Sequence, residues 1–223
     1  MPAGFKISKA KRKVSSDIVE RFRSIPVANI SDVMSRLSGT SRLRPMHRGG
    51  CLSGPALTVR TRPGDNLMVH KAIDMAEPGD VIVVDAGGEL SNAIIGEIMT
   101  TLAERRGIAG FVIDGAIRDS AVVRASSFPV FAAGIAHRGP YKDGPGEING
   151  AVSVAGMVVE AGDLIVADDD GVLCIPFSDV DAVLRDAIAK GEAEGKMMEA
   201  IRNGTLDRSW IDDTLRRGGC EIA

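Results

Sequence analysis

Residues 96–119 read GEIMTTLAERRGIAGFVIDGAIRD: a glycine-led helix, a tight Gly-Ile-Ala-Gly connection, a short apolar strand, then a turn carrying Arg118 and Asp119. A second apolar strand, DVIVVDA at residues 80–86, comes just before, so the whole reads as a β-α-β unit. In such a unit the helix runs back against its strands. The start of the helix and the end of the second strand then lie at one edge of the sheet. Glu97 and the Arg118-Asp119 pair, distant in sequence, are expected to meet there, at the carboxyl edge where open α/β sheets bind ligands.

The residue types at that edge suggest a chemistry. A glycine inside a helix costs about 1 kcal/mol, so Gly96 marks a helix start. A helix start presents unpaired N–H groups and a partial positive charge, which suit an anionic substrate. Arg118 adds a permanently charged planar fork for a carboxylate. Glu97 and Asp119 supply hard oxygen ligands, matched to magnesium or manganese rather than zinc. On spacing alone, the same residues also fit an ordinary surface ion pair and a solvated helix glutamate.

At these residues the sequence resembles the RraA-like family, which contains the 4-hydroxy-4-methyl-2-oxoglutarate / 4-carboxy-4-hydroxy-2-oxoadipate aldolases that also decarboxylate oxaloacetate. The enzymes of that family carry an acidic residue, twenty intervening residues, then Arg-Asp; here these are Glu97 and Arg118-Asp119. The segments VDAGGELSNAIIGEIM, GFVIDGAIRD and VSVAGMVVEAGDLIVADDDGVLCIP are also similar to the family, and the likeness runs over roughly residues 25–205. The resemblance implies that the backbone amides of Gly96, Glu97, Ile98 and Met99 hold the pyruvyl end of a substrate beside Arg118. It implies Asp119 as the direct protein ligand to Mg2+ or Mn2+, with Glu97 holding waters on the metal. Glu194 matches, more loosely, a C-terminal glutamate that reaches a neighbouring subunit's site; Glu192 lies two positions away. The implied fold is a single layered α/β/β/α domain of the swivelling phosphohistidine-domain-like type. The implied assembly is a homotrimer or homohexamer with sites near subunit interfaces.

The 223 residues allow one large domain or two small ones. Hydrophobic residues make up 44% and aromatics only 4%, so the core is expected to consist of Val, Ile, Ala, Leu and Met. A net charge of −3 lacks the basic surplus of a nucleic-acid binder. Cys51, Cys174 and Cys220 are odd in number and far apart, which fits reduced thiols in a cytoplasmic protein and neither a disulfide frame nor a zinc site. No apolar stretch is long enough for a signal peptide or a membrane span.

Residues 1–14, with their basic cluster, are expected to form a mobile arm, residues 15–205 the catalytic domain, and residues 206–223 a tail packed on the domain or on a neighbouring subunit. Within the domain, short helices are expected at residues 18–25 and 28–37, the second with Ile30, Val33, Met34 and Leu37 at helical spacing. A strand at residues 54–61 and a helix at 66–76 follow; His70 in that helix reads as exposed or packed, and His47 has no evident partner. Gly87-Gly88 lacks the third glycine of a dinucleotide or methyl-donor fingerprint. The paired glycines read instead as a place where the backbone passes close to substrate or to a turn. The glycine- and proline-rich passage at 137–150 is a loop placed to form a rim of the site. Asp168-Asp169-Asp170-Gly171 lacks calcium-loop spacing and reads as a hairpin turn. A long helix closes the domain over residues 178–203.

Together these readings point to a metal-dependent, class II pyruvate aldolase with oxaloacetate decarboxylase activity. The cation and Arg118 would stabilise the enolate charge. The base is a water ordered near Glu97, or Glu194 from a neighbour. The alternative is an RraA-type protein that binds and inhibits an RNA-degrading endonuclease without catalysis. Glu97 before the Arg-Asp pair favours the enzyme.

Overall fold

A computed structural model of the chain describes residues 4–40 and 42–221; residues 1–3 of the expected arm and 222–223 of the expected tail lie outside them. The chain begins with β1 (Phe5–Ile7), α1 (Ser16–Phe22), α2 (Val27–Val33), β2 (Arg44–Pro45) and β3 (Leu52–Thr61). An alternating section follows: α3 (Leu67–Met75), β4 (Val81–Ile95), α4 (Glu97–Arg105), β5 (Gly110–Ile117), α5 (Ser120–Ala125) and β6 (Val130–Ile135). Next come β7 (Gly146–Ile148), β8 (Val152–Val154), β9 (Met157–Val159), β10 (Leu164–Asp168) and β11 (Gly171–Ile175). Helices α6 (Val180–Arg202) and α7 (Trp210–Arg217) complete the described chain.

Strands β3, β4, β5 and β6 lie side by side and parallel, in that order. Each is joined to the next by one of α3, α4 and α5, as parallel neighbours require. A parallel strand covered on both faces reads as a continuous apolar run, and Val81, Ile82, Val83 and Val84 are all fully buried. Alternate residues serve two cores. Ile82, Val84, Phe111 and Ile113 face α3, α4 and α5; Val81, Val83 and Val112 face the β8–β9 and β10–β11 hairpins. The same alternation continues in β10, where Ile165 and Ala167 face the central sheet while Leu164 and Val166 face α1, α2 and α6. The result is the layered α/β/β/α arrangement expected.

Strand β3 ties the layers together. Its first half pairs antiparallel with β10 and its second half parallel with β4. Gly54 sits at the changeover, where a Cβ would collide with the Gly79 carbonyl and come 2.9 Å from Val81 Cγ2. Asp168 pairs with Gly171 at the end of the β10–β11 hairpin, so the acidic run is a turn.

Several expectations need revision. The second helix ends at Val33, short of the expected Leu37, because Ser35 and Arg36 adopt left-handed φ of 58° and 61°; Leu37 is then left 90% exposed. Strand β4 does not stop at Gly87-Gly88. It runs on to Ile95, with both glycines at positive φ and the register with β5 slipping between Asp85 and Ile95. The expected loop at 137–150 contains β7, which pairs with β3 and with β1. The arm expected to be mobile is held: β1 joins the sheet edge, Arg12 contacts Asp163 at 3.2 Å, and Lys13 contacts Asp80 at 2.7 Å.

The chain divides into two compact units, residues 1–187 and 188–223. The first holds every strand among the described residues and the start of α6, where Val180, Leu184 and Ala187 are buried. The second holds the rest of α6 and α7. Lys190 and Glu194 pair there at 3.1 Å, and α7 buries none of its residues.

Candidate active site

The β4–α4–β5 unit brings its two ends together. The backbone N–H of Glu97, the first residue of α4, donates to Asp119 Oδ2 at 3.0 Å, and the Arg118 N–H donates to the Ile95 carbonyl at 3.0 Å. A carboxylate from the end of β5 thus satisfies an orphan donor of the α4 N-terminus and meets its partial positive charge. Asp119 itself has φ 53° and ψ 36°, a left-handed conformation that Asp adopts more readily than most residues. Arg118 Nε lies 3.6 Å from Asp119 Oδ2, and both side chains are about two-fifths exposed, at 41% and 39%.

Gly96 is demanded here by space. Its φ of −155° suits any residue, but a Cβ would overlap Asp119 Oδ2 and come 2.9 Å from Arg118 Cγ. Of the four amides expected to hold substrate, that of Glu97 is bonded to Asp119 and that of Met99 to the Gly96 carbonyl at 3.1 Å. Those of Gly96 and Ile98 remain for a ligand.

Beside this junction opens a cavity of about 210 Å³, lined by Gly96, Ile98, Met99 and Arg118 from the expected stretch. Asn66, His70, Gly139, Pro140 and Lys142 also line it. The rim loop expected at 137–150 therefore contributes Gly139, Pro140 and Lys142. Asn66 and His70 stand one helical turn apart at the start of α3, and their role in the wall was missed. The rule that located Glu97 would have found them, since α3 also leaves the carboxyl end of a parallel strand at the same sheet edge. Asn66 is 2% exposed. Its Nδ2 donates to the Ile94 carbonyl at 2.9 Å and contacts Met99 Sδ at 3.3 Å, while its Oδ1 has no partner in the chain. Partial burial, together with the nearby Lys142 charge, pushes the His70 pKa below its ordinary value, against a smaller opposing pull from Asp74. Arg118 and Lys142 are the permanent cations of the wall.

Glu97 and Asp119 are not among the residues that line this cavity; they meet Arg118 beside it. Other sequence candidates also fall outside it. Glu194 is on α6 in the second unit, facing Lys190, as an i,i+4 pair. His47 is buried edge-on against Phe131, with ring centroids 5.1 Å apart. Burial pushes the Cys174 thiol well above its ordinary pKa, as expected of core packing and not of a nucleophile. A larger cavity, about 630 Å³, lies beside residues 9–13; it includes none of Glu97, Arg118 or Asp119, and its Arg12 and Lys13 are already paired with carboxylates.

This is a layered α/β domain whose polar site sits where a helix start, an Arg-Asp turn and a lysine-bearing loop converge. The RraA-like family (Aldolase/RraA) matches residues 27–174, and the chain belongs to it. A relative from Halalkalibacterium halodurans, named "Putative 4-hydroxy-4-methyl-2-oxoglutarate aldolase", is 41% identical over 191 residues, covering 85% of this chain and 91% of its own. Among solved structures, an uncharacterized protein from Pseudomonas syringae superposes with a TM-score of 0.78 at 26% identity, covering 87% of this chain and 96% of its own. Streptomyces coelicolor RraAS2, described as an unusual member of the RNase ES inhibitor RraA protein family, gives a TM-score of 0.75 at 26% identity, covering 82% of this chain and 96% of its own.

Proposed function

We propose that this protein is a divalent-metal-dependent aldolase. It cleaves 4-hydroxy-4-methyl-2-oxoglutarate, or a related 4-hydroxy-2-oxo acid, to pyruvate and a second oxo acid, and it decarboxylates oxaloacetate at the same site. The observation that carries this reading is the junction of Asp119, Glu97 and Arg118, where Arg118 also lines a cavity whose other cation is Lys142.

The donor set fits Mg2+ or Mn2+. Asp119 commits Oδ2 to the Glu97 amide, which leaves Oδ1 on a side chain 39% exposed, and the exposed Glu97 carboxylate begins at the same place. No group of three His, Cys, Asp or Glu side chains gathers among the described residues. A carboxylate oxygen donor suits a hard ion that keeps most of its waters. Asp119 would hold the ion and Glu97 would face its waters; when bound, the ion acts as a Lewis acid toward the substrate's 2-oxo group and adjoining carboxylate.

The remaining work falls to the chain. Arg118 offers a bidentate fork to the substrate carboxylate and stabilises the negative charge that develops on the enolate oxygen as the C–C bond breaks. The free amides of Gly96 and Ile98 add fixed donors at the helix start. Lys142 attracts the second carboxylate of a dicarboxylic substrate. The proton of the 4-hydroxyl passes to a water ordered by Glu97 or to Glu194 of a second copy, and a proton from that water or from solvent is returned to C3 of the enolate to give pyruvate. Assembly as a trimer or pair of trimers is supported by the exposed apolar side chains Ile98, Leu102 and Val122 on α4 and α5 beside the site. Among the described residues no helix is long and apolar enough to cross a membrane.

The test is pyruvate release from 4-hydroxy-4-methyl-2-oxoglutarate and from oxaloacetate, with Mg2+ or Mn2+ and then with EDTA, against a protein-free control. Metal-dependent release above the control is expected. No release from either acid would overturn the proposal and favour a non-catalytic inhibitor of an RNA-degrading endonuclease.

A further inference from the structure

The two outer walls of the cavity, the start of α3 and the loop bearing Lys142, are joined through a carboxylate that does not itself line the cavity. Asp65 is fully buried. Its Oδ1 accepts the N–H of Leu67, the first residue of α3, at 2.9 Å. Its Oδ2 accepts the N–H groups of Asp143 at 2.8 Å and Gly144 at 2.9 Å, and Arg62 Nη2 at 3.1 Å. Backbone bonds run alongside: Tyr141 N–H to the Gly64 carbonyl at 2.8 Å, and Asn66 N–H to the Tyr141 carbonyl at 3.0 Å. Lys142 therefore sits between two residues that are both bonded to the turn preceding Asn66.

Burying a carboxylate is costly unless hydrogen bonds compensate it. Three backbone donors and a guanidinium do so here, and two of those donors belong to a loop that would otherwise be free to swing. From this geometry we infer that Asp65 is a positioning residue, holding Lys142 against the Asn66–His70 wall so that the cavity is preformed for an anionic substrate. This inference rests on the aldolase reading for the identity of that substrate, but not for the clasp itself. Asn at position 65 keeps the size but turns an NH2 group toward N–H donors, so one side of the clasp must open.

The test uses Asp65→Asn, Lys142→Met and the double variant of the full chain. The first readout needs no substrate: titration of the His70 ring by NMR, separable from the two other histidines by a His70→Gln control. Because Lys142 depresses the His70 midpoint, Asp65→Asn should raise it as Lys142→Met does, and should speed amide exchange at Asp143 and Gly144. The second readout is kinetic. KM should rise about tenfold in each single variant, with kcat changing less, and the double variant should be no worse than Lys142→Met alone. An unchanged His70 midpoint with wild-type exchange at 143–144, or fully additive KM effects, would overturn the inference. If Asp65→Asn fails to fold, Arg62→Gln removes one donor from a side chain 44% exposed and should move the His70 midpoint the same way, by less; no movement would also overturn it. Absent pyruvate release by the wild type would sink the aldolase reading while leaving the NMR arm to decide the clasp.

Discussion

Replacing Gly96 with alanine is the sharpest probe of the proposed site, because it adds one methyl group at the point where Glu97, Arg118 and Asp119 meet. The backbone there is extended, at φ −155° and ψ −164°, so an alanine introduces no torsional strain. What it lacks is room. The new Cβ would overlap Asp119 Oδ2 and press on Arg118 Cγ at 2.9 Å and Nε at 3.2 Å. Overpacking a rigid core costs about 1–3 kcal/mol, but Asp119 and Arg118 are 39% and 41% exposed and can yield toward solvent. The stability loss should therefore sit near the lower end, about 1 kcal/mol, or a fall of roughly 2–4 °C in Tm for a domain of this size. The catalytic loss should be much larger. A displacement of about 1 Å in reacting geometry costs on the order of 100-fold in rate, and both Asp119 and Arg118 must move. The assay is Tm by calorimetry beside kcat/KM for metal-dependent pyruvate release. A Gly96→Ala protein with a modest Tm change and wild-type kcat/KM would refute the reasoning, since the proposed metal ligand and its arginine would then be movable without consequence.

Asp119→Ala should abolish metal-dependent pyruvate release and uncap the Glu97 amide, with a Tm loss of only a few degrees, since a cap is worth about 1 kcal/mol; circular dichroism and the pyruvate assay together check this. Arg118→Lys should lose on the order of 100-fold in kcat/KM, because a point charge does not reproduce a two-pronged fork; near wild-type kinetics would make Arg118 structural. His70 should titrate below 6.5 by NMR, and removing the Lys142 charge should raise its midpoint. The sign for stability follows: the unfolded chain binds this proton more tightly than the folded one, so His70's contribution is complete above about pH 6.5 and is lost as pH falls through the lower folded value. Gly195→Ala, at an exposed helical position with nothing within 4 Å of the new Cβ, should strengthen α6 by roughly 0.5–1 kcal/mol, seen as slower amide exchange around residue 195.

What the sequence by itself determined is the part governed by local periodicity and chain direction. An apolar run, an amphipathic helix and a second apolar run can pack only as a right-handed β-α-β unit, and that constraint was enough to bring Glu97 to Asp119 and to place the Lys142 loop at the rim. The Asp168–Gly171 turn was legible for the same local reasons. Four matters needed the tertiary structure. Strand β4 continues through Gly87-Gly88 because its neighbour β5 supplies ladder partners beyond them, despite register slips. Residues 5–7 become a strand only because β7 offers an open edge. His70 and Asn66 become cavity residues because α3 and α4 start at the same edge of one sheet, a relation between elements that no single helix encodes. Asp65 reads in sequence as one residue of a Pro-Gly-Asp turn, and its four donors come together only when a loop nearly eighty residues later folds back over it. Local spacing sets which residues share an element. Which elements share a site is set by the burial of apolar faces and the pairing of every buried polar group, and these are settled only when the whole chain closes on itself.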